Sequence, residues 1–236
     1  MKLLNIDKNA KTVKGQKKGY MTAILYLAPA KESGFEVCPM STAGCRAACL
    51  YTAGRGAMNV TQKARIAKTR YFFTDRDAFM MQMATEITAF VKKAEKAGLI
   101  PTVRLNGTSD IVWESMTVLG HKNLMALFPD VQFYDYTKRH NRTNLPRNYH
   151  LTYSLAENND KLAYAALNNG MAVAAVFRSP EKVQEYIRTG YTLAGCPTPV
   201  VDGDESDLRF LDGNSVIVGL YAKGRAKKDN SGFVRD

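Results

Sequence analysis

Short apolar runs of strand length alternate with helical stretches along most of this chain, and that alternation restricts its folds more than any other feature. Tyr20 to Leu27 reads Tyr-Met-Thr-Ala-Ile-Leu-Tyr-Leu, a buried strand closed by Ala28-Pro29. Helices are predicted over Met58 to Arg70 and Arg76 to Ala97. In the second, Phe79, Met83, Ile87, Phe90, Val91 and Ala94 recur every three or four positions, and Gly98 ends it as a C-cap does. Further strands are predicted over Pro101 to Asn106, Val131 to Thr137, Tyr149 to Ser154, Met171 to Phe177, Thr198 to Val201 and Val216 to Leu220. The intervening helices are predicted over Trp113 to Leu127, over about Asn159 to Asn169, and from Ser179-Pro180, an N-cap followed by proline at the first helical position.

Strands alternating with helices specify parallel βαβ units. The expectation is one α/β domain over residues 1–236, a partial (β/α)6-like barrel of mostly parallel strands with a cysteine loop after the first strand. Hydrophobic residues make up 45% of the chain, enough for a core, which excludes an intrinsically disordered protein. No run approaches the ~20 apolar residues of a membrane helix, and the opening Met-Lys-Leu-Leu-Asn-Ile-Asp-Lys lacks the apolar stretch of a secretion signal. A cytoplasmic protein with no membrane partner is therefore expected.

The net charge is +11. Residues 1 to 20 carry six lysines and one acid, Asp7, a net +5, and residues 221 to 236 carry a net +3. The body between them is nearly neutral. Residues 1–19 read as a basic arm and 222–236 as a basic, mobile tail, either solvated or touching nucleic acid.

In parallel α/β folds, ligands bind beyond the carboxyl ends of the strands. Cys38, Cys45 and Cys49 follow the first predicted strand with six and three intervening residues, and Cys196 lies far off. No Cys-x-x-Cys pair is present and the histidines lack ligand spacing, so three clustered thiolates point to a [4Fe–4S] cluster, with Cys196 a candidate fourth ligand. Gly44, Gly54 and Gly56 suit a tightly wrapped backbone, and Arg46 and Arg55 would offset cluster charge. The same spacing also suits unligated thiols packed on a helix, since Cys45 and Cys49 are i, i+4 neighbours. Asn106, Gly107, Thr108, Ser109 and Asp110 follow the second strand, and this polar turn can bind an amine, a carboxylate or a ribose, or simply cap the next helix. Tyr136 and Lys138 close the third strand, the fourth ends at Ser154 with Glu157 beyond it, and Arg178 follows the fifth. Asp202, Asp204, Glu205 and Asp207 form an acidic turn that could hold Mg²⁺, or be solvated.

Several of these segments together resemble the phage and plasmid-borne proteins related to the gene-product-eighty-eight-like group. They are Tyr26-Leu-Ala-Pro-Ala30, the Cys38/Cys45/Cys49 loop with Thr52-Ala-Gly-Arg-Gly56, Arg104-Leu-Asn-Gly-Thr-Ser-Asp-Ile111, Phe133-Tyr-Asp-Tyr-Thr-Lys138, Val200-Val-Asp-Gly-Asp204, Asp207-Leu-Arg-Phe210 and Val218-Gly-Leu-Tyr-Ala-Lys-Gly224. In layout the chain is also similar to the radical S-adenosylmethionine enzymes, although their cysteine spacing is three and two residues. That resemblance implies a cluster on Cys38, Cys45 and Cys49, S-adenosyl-L-methionine held at Asn106 to Asp110, and a substrate lined by Tyr136, Lys138, Ser154, Glu157 and Arg178. Two other functions are open: a nucleic-acid-binding protein with a structural iron–sulfur or zinc site closed by Cys196, and a Mg²⁺-dependent nuclease using Asp110, Asp202 and Asp204.

Overall fold

The computed structural model describes residues 1–6 and 10–236; Asp7 and Lys8 of the basic arm lie outside the described residues. Along the chain, β1 (Leu4–Ile6) and α1 (Ala10–Gln16) precede β2 (Tyr20–Leu25), and α2 (Ala43–Ala47) carries Cys45. Two 3₁₀ turns, Leu50–Thr52 and Gly54–Ala57, lead into α3 (Asn59–Thr74) and α4 (Arg76–Lys96), followed by β3 (Ile100–Arg104). Next come α5 (Leu124–Leu127), β4 (Gln132–Thr137), β5 (Tyr149–Ser154), α6 (Asp160–Asn168), β6 (Val173–Phe177) and α7 (Pro180–Thr189). The chain finishes with β7 (Tyr191–Leu193), β8 (Cys196–Thr198), β9 (Val200–Asp202), β10 (Ile217–Tyr221), a 3₁₀ turn over Gly224–Lys228, and β11 (Val234–Arg235). The architecture is mixed α/β with mostly parallel strands, and among the described residues no closed barrel forms, because β1 and β9 each have a single strand neighbour.

Two compact units share the chain. The first comprises residues 1–39, 59–135 and 143–150, and the second residues 40–58, 136–142 and 151–236. In the first unit β2 is buried at five of its six positions and pairs in parallel with β3, from Tyr20↔Ile100 to Ile24↔Arg104. A buried polar pair is satisfied within that register, Thr22 Oγ1 to Thr102 Oγ1 at 2.9 Å. β3 in turn pairs in parallel with β4. Helix α4 starts on an Asp75 cap that accepts from Ala78 N at 3.1 Å, buries Phe79, Met83, Ile87, Phe90 and Ala94 as the periodicity predicts, and stops before Gly98 at φ +67°.

The basic N-terminal segment is fastened where a free arm was expected. β1 runs antiparallel to β2, Leu3 and Leu4 are buried, and their amides donate to the Glu86 carboxylate at 2.9 and 2.8 Å. Lys68 Nζ donates to the Leu3 carbonyl at 2.6 Å. Two consecutive leucines among lysines supply the apolar anchor that the charge count obscured. The predicted helix over Trp113 to Leu127 is also replaced, by a 3₁₀ turn over Trp113–Ser115, a bridge between Val118 and His121, and the short α5. Leu119 and Gly120 turn the chain at positive φ, and Asn123 then caps α5, accepting from Ala126 N at 2.8 Å.

In the second unit β6 pairs in parallel with β5 (Tyr153↔Val173, Ser154↔Ala174) and with β10 (Ile217↔Val173 to Tyr221↔Phe177), and β10 pairs with β9. α6 and α7 cover a core of Tyr153, Leu155, Ala163, Phe177, Val183 and Ile217. A hairpin that the sequence did not signal joins β7 to β8 through Ala194 and Gly195, both at positive φ, as a two-residue primed turn requires. The tail expected to be mobile ends in β11, which pairs with Val176 and Phe177 of β6. β10 occupies the other edge of β6, so β11 takes the edge that β5 leaves after Ser154. Val234 is buried there with Ala48, Ala222 and Ala226.

Candidate functional site

The loop after β3 is organised by Asn106, a buried residue whose side chain is fully committed. Its Oδ1 accepts from Ser109 Oγ (2.8 Å), Ile111 N (2.9 Å) and Trp113 Nε1 (3.0 Å), and its Nδ2 donates to the Ile111 carbonyl at 2.9 Å. Its backbone amide donates to the buried Asp135 carboxylate at 2.7 Å, which also accepts from Tyr149 Oη at 2.9 Å. Gly107 lies against β2: a Cβ there would stand 2.6 Å from Tyr26 and 2.7 Å from the Leu25 carbonyl. Thr108 Oγ1 donates to the Leu27 carbonyl at 2.6 Å, and Asp110 N donates to the Val37 carbonyl at 2.8 Å. Cys38 meets the same loop, its Sγ donating to the Thr108 carbonyl at 3.6 Å while its amide donates to Glu36 at 2.7 Å. The adjacent parallel strands β2 and β3 thus bring Cys38 and residues 106–110 together. Asn106 acts there as the keystone of the loop.

In the second unit, Thr42 caps α2 and accepts from Cys45 N at 3.2 Å. Glu157, beyond β5, accepts from Thr42 Oγ1 at 2.6 Å and from Gly44 N at 2.7 Å. Burial and the Asp229 charge push its carboxyl up, but hydrogen bonds from Thr42, its own backbone amide and Gly44 outweigh them and hold it below the ordinary value. Gly44 is buried under the tail: a Cβ there would lie 2.9 Å from Phe233 Cβ and 3.0 Å from Glu157 Cδ. Cys49 caps the next turn, its sulfur accepting from Tyr51 N at 3.5 Å.

The other expected site residues of this unit divide into two groups. Lys138 Nζ donates to Ser154 Oγ at 2.7 Å and lies 5.6 Å from the Phe233 ring centre, and half-buried Tyr136 packs on Ala172, Ala174 and Val218. Arg178 is taken up by the tail: Nε and Nη2 donate to the Asp236 carboxylate at 2.7 and 3.0 Å, and Nη1 to the Asp229 carbonyl at 2.8 Å. Cys196, at the start of β8, engages Tyr164 of α6, and its thiol is the main reason that phenol is harder to ionise.

The acidic turn is internally engaged. Asp204 pairs with Lys223 at 2.6 Å and accepts from Tyr221 N at 3.0 Å, while Asp202 accepts from Asp204 N at 2.7 Å and from Gln184 at 3.3 Å. All four cysteines are half-buried and outside any disulfide, and among the described residues no group of three or more His, Cys, Asp or Glu side chains stands together as a metal site. Thiols are the donors a thiophilic centre takes, and an amide hydrogen bond such as the one at the Cys49 sulfur is of the kind that tunes a metal-bound thiolate. Two concave surfaces of the first unit contain no expected site residue. One, of about 580 Å³, runs along Lys122, Asn123, Met125 and Arg147, and the other along Met80, Met81 and Leu119.

Thr42 and the Ser231–Phe233 segment were not anticipated as parts of the site, and Gly44 was expected only to let the backbone wrap tightly. A local signal did exist, in a threonine three residues before Cys45 and a glycine just ahead of it. Among the described residues no helix is long and apolar enough to cross a membrane. The family model for Gene product 88 matches residues 2–236. Neither the curated proteins nor the solved structures give a match.

Proposed function

The chain belongs to the Gene product 88 family, and from that premise we propose that it is an iron–sulfur protein with the layout of a radical S-adenosylmethionine enzyme. In this reading it works in the cytoplasm of a bacterial host on a nucleotide or nucleic-acid substrate. The observation that carries the reading is the contact of Cys38 Sγ with the Thr108 carbonyl, because it joins the cysteine segment after β2 to the polar loop after β3. In the proposed arrangement Cys38, Cys45 and Cys49 hold a [4Fe–4S] cluster that supplies one-electron chemistry, and residues 106–110 receive S-adenosyl-L-methionine. The finer description of the fold as a partial (β/α)6-like barrel belongs to the same proposal, supported by the parallel pairs β2–β3–β4 and β5–β6–β10.

Each side chain then has a distinct task. Asn106 keeps its loop in shape, and Lys138 and Ser154 are the polar groups offered to substrate. Glu157 and Arg178 have their polar atoms committed to α2 and the tail, so they act by holding these elements. Anaerobically purified protein is expected to be brown, with a broad band near ~400 nm and stoichiometric iron and sulfide. Replacing Cys38, Cys45 or Cys49 by Ala should abolish the band, and reductant with S-adenosyl-L-methionine should yield 5′-deoxyadenosine. A colourless, iron-free protein would end the proposal.

A second reading is favoured by one observation. Arg225, Lys227 and Lys228 are exposed on a 3₁₀ turn packed on the cysteine segment, with Gly224 against Ala53 and Ala226 clustered with Ala48, and none of the three makes an ion pair among the described residues. This suits a nucleic-acid-binding protein whose metal is structural and closed by Cys196. Cys196→Ala separates the two readings: loss of the metal supports the closed site, and an unchanged spectrum supports the open one.

A further inference from the structure

We infer that Glu157 is a positioning residue for the cysteine-bearing helix α2, and that the tail segment Ser231–Phe233 closes over the same helix so that the two hold Cys45 in place. The interpretation of α2 as part of a metal site rests on the proposed function; the clamp itself does not.

Helix α2 has five residues, too short to be stable by itself. It buries only Gly44 and exposes Ala43, Arg46 and Ala47, so side-chain packing does little to fix it. Its position depends on polar contacts at its first turn, and Glu157 supplies them from 113 residues away. One carboxylate oxygen accepts from Gly44 N and the other from Thr42 Oγ1, the group that also caps Cys45 N. One ionised side chain thereby fixes the residues immediately before Cys45.

The tail completes the clamp from the other side. Phe233 and Ser231 fill the space where a side chain at residue 44 would project, and Gly232 lies against Glu157, a Cβ there being 3.6 Å from Glu157 Cβ. The segment is itself tied down. Asp229 accepts from Ser231 Oγ (2.7 Å) and Val234 N (3.0 Å), Arg178 grips the Asp229 carbonyl and the Asp236 carboxylate, and Arg235 donates to the Ala156 carbonyl (2.7 Å) and Asp160 (3.0 Å). Ala156 adjoins Glu157 in the chain, so tail and carboxylate are fixed to the same short stretch after β5. Only glycine at residue 44 lets helix, carboxylate and tail approach this closely.

The test is the alkylation rate of each cysteine in the full chain, stripped of metal, treated with iodoacetamide and read peptide by peptide. Glu157→Ala should raise the rate at Cys45 by about tenfold, the shift expected for losing a charge-assisted hydrogen bond, with Cys196 unchanged. Glu157→Gln should restore most of the protection, because its amide still accepts from Gly44 and can donate to Thr42. Glu157→Asp, whose side chain is one methylene too short to hold both Gly44 N and Thr42 Oγ1 while leaving the Thr42 cap on Cys45 N intact, should give an intermediate rate and decides the matter if Glu157→Ala does not fold. The inference is overturned if Cys45 reacts at the wild-type rate in the folded variants, or if all four cysteines accelerate together. Iron and sulfide content, measured separately, reports on the proposed cluster, so a protein without iron would leave the clamp standing.

Discussion

Asn106 and Gly107 show how much of the first unit's candidate site is set by single side chains. Asn106 satisfies two buried donors at once, Ile111 N and Trp113 Nε1, and removing its amide leaves both without that acceptor. Asn106→Ala is expected to destabilise the protein by about 2–4 kcal/mol, since each orphaned buried group costs ~1–3 kcal/mol, measurable as a shifted urea midpoint. Gly107→Ala should cost roughly 1–3 kcal/mol by overpacking against Tyr26 and Leu25. A Gly107→Ala variant as stable as the parent would show that β2 can yield there. Neither role was visible from residue type. A polar turn after a strand was legible as a place for ligands, but which of its groups face inward depended on Trp113, folded back by a turn where the sequence suggested helix.

Among the elements, β11 departs most from expectation. Gly, Asn, Ser and lysine are what a mobile tail is made of, yet two residues of strand and one buried valine suffice when a vacant strand edge is available. The tail's attachment is pH-dependent. Burial pushes the Asp229 carboxyl up, but hydrogen bonds from Val234 and Ser231 hold it below 3.8, and the Arg178 guanidinium holds Asp236 below 3.8 as well. A carboxyl depressed in the folded state adds stability that is complete above its unfolded value and is lost as pH falls through the folded one. Amide protection at Val234 and Arg235 should therefore hold from neutrality to about pH 4 and fall below it. Protection already declining between about pH 7 and 5, after correction for intrinsic exchange, would contradict this. Elements with a strong local pattern, the period of α4 and the continuous apolar run of β2, were legible in advance. The β7–β8 hairpin, β1 and β11 were not, because strands of two or three residues carry too few positions for a period and exist only through the strand they pair with.

For the whole molecule, charge and topology are the properties that sequence and tertiary structure divide between them. The +11 and its concentration at the two ends are properties of composition alone. Their meaning changed with the fold, since β1 and β11 fasten both ends and the Arg225–Lys228 cations stand on an ordered turn. On the proposed nucleic-acid-binding reading, binding of a single-stranded oligonucleotide should weaken steeply with salt, and neutralising Arg225, Lys227 and Lys228 to Gln should lower the slope of log K against log salt by about 2, at ~0.7 for each phosphate that a cation no longer neutralises. An unchanged slope would place binding elsewhere. By itself the sequence determined the α/β class, the strongly periodic helices and strands, and the presence of three cysteines after an early strand, because these depend on patterns read over a few neighbouring residues. Tertiary structure alone decided what Glu157, Arg178 and the tail do. The partners that Glu157 and Arg178 find in α2 and the tail lie dozens of residues away, and nothing in local periodicity encodes which distant backbone amide a carboxylate will meet.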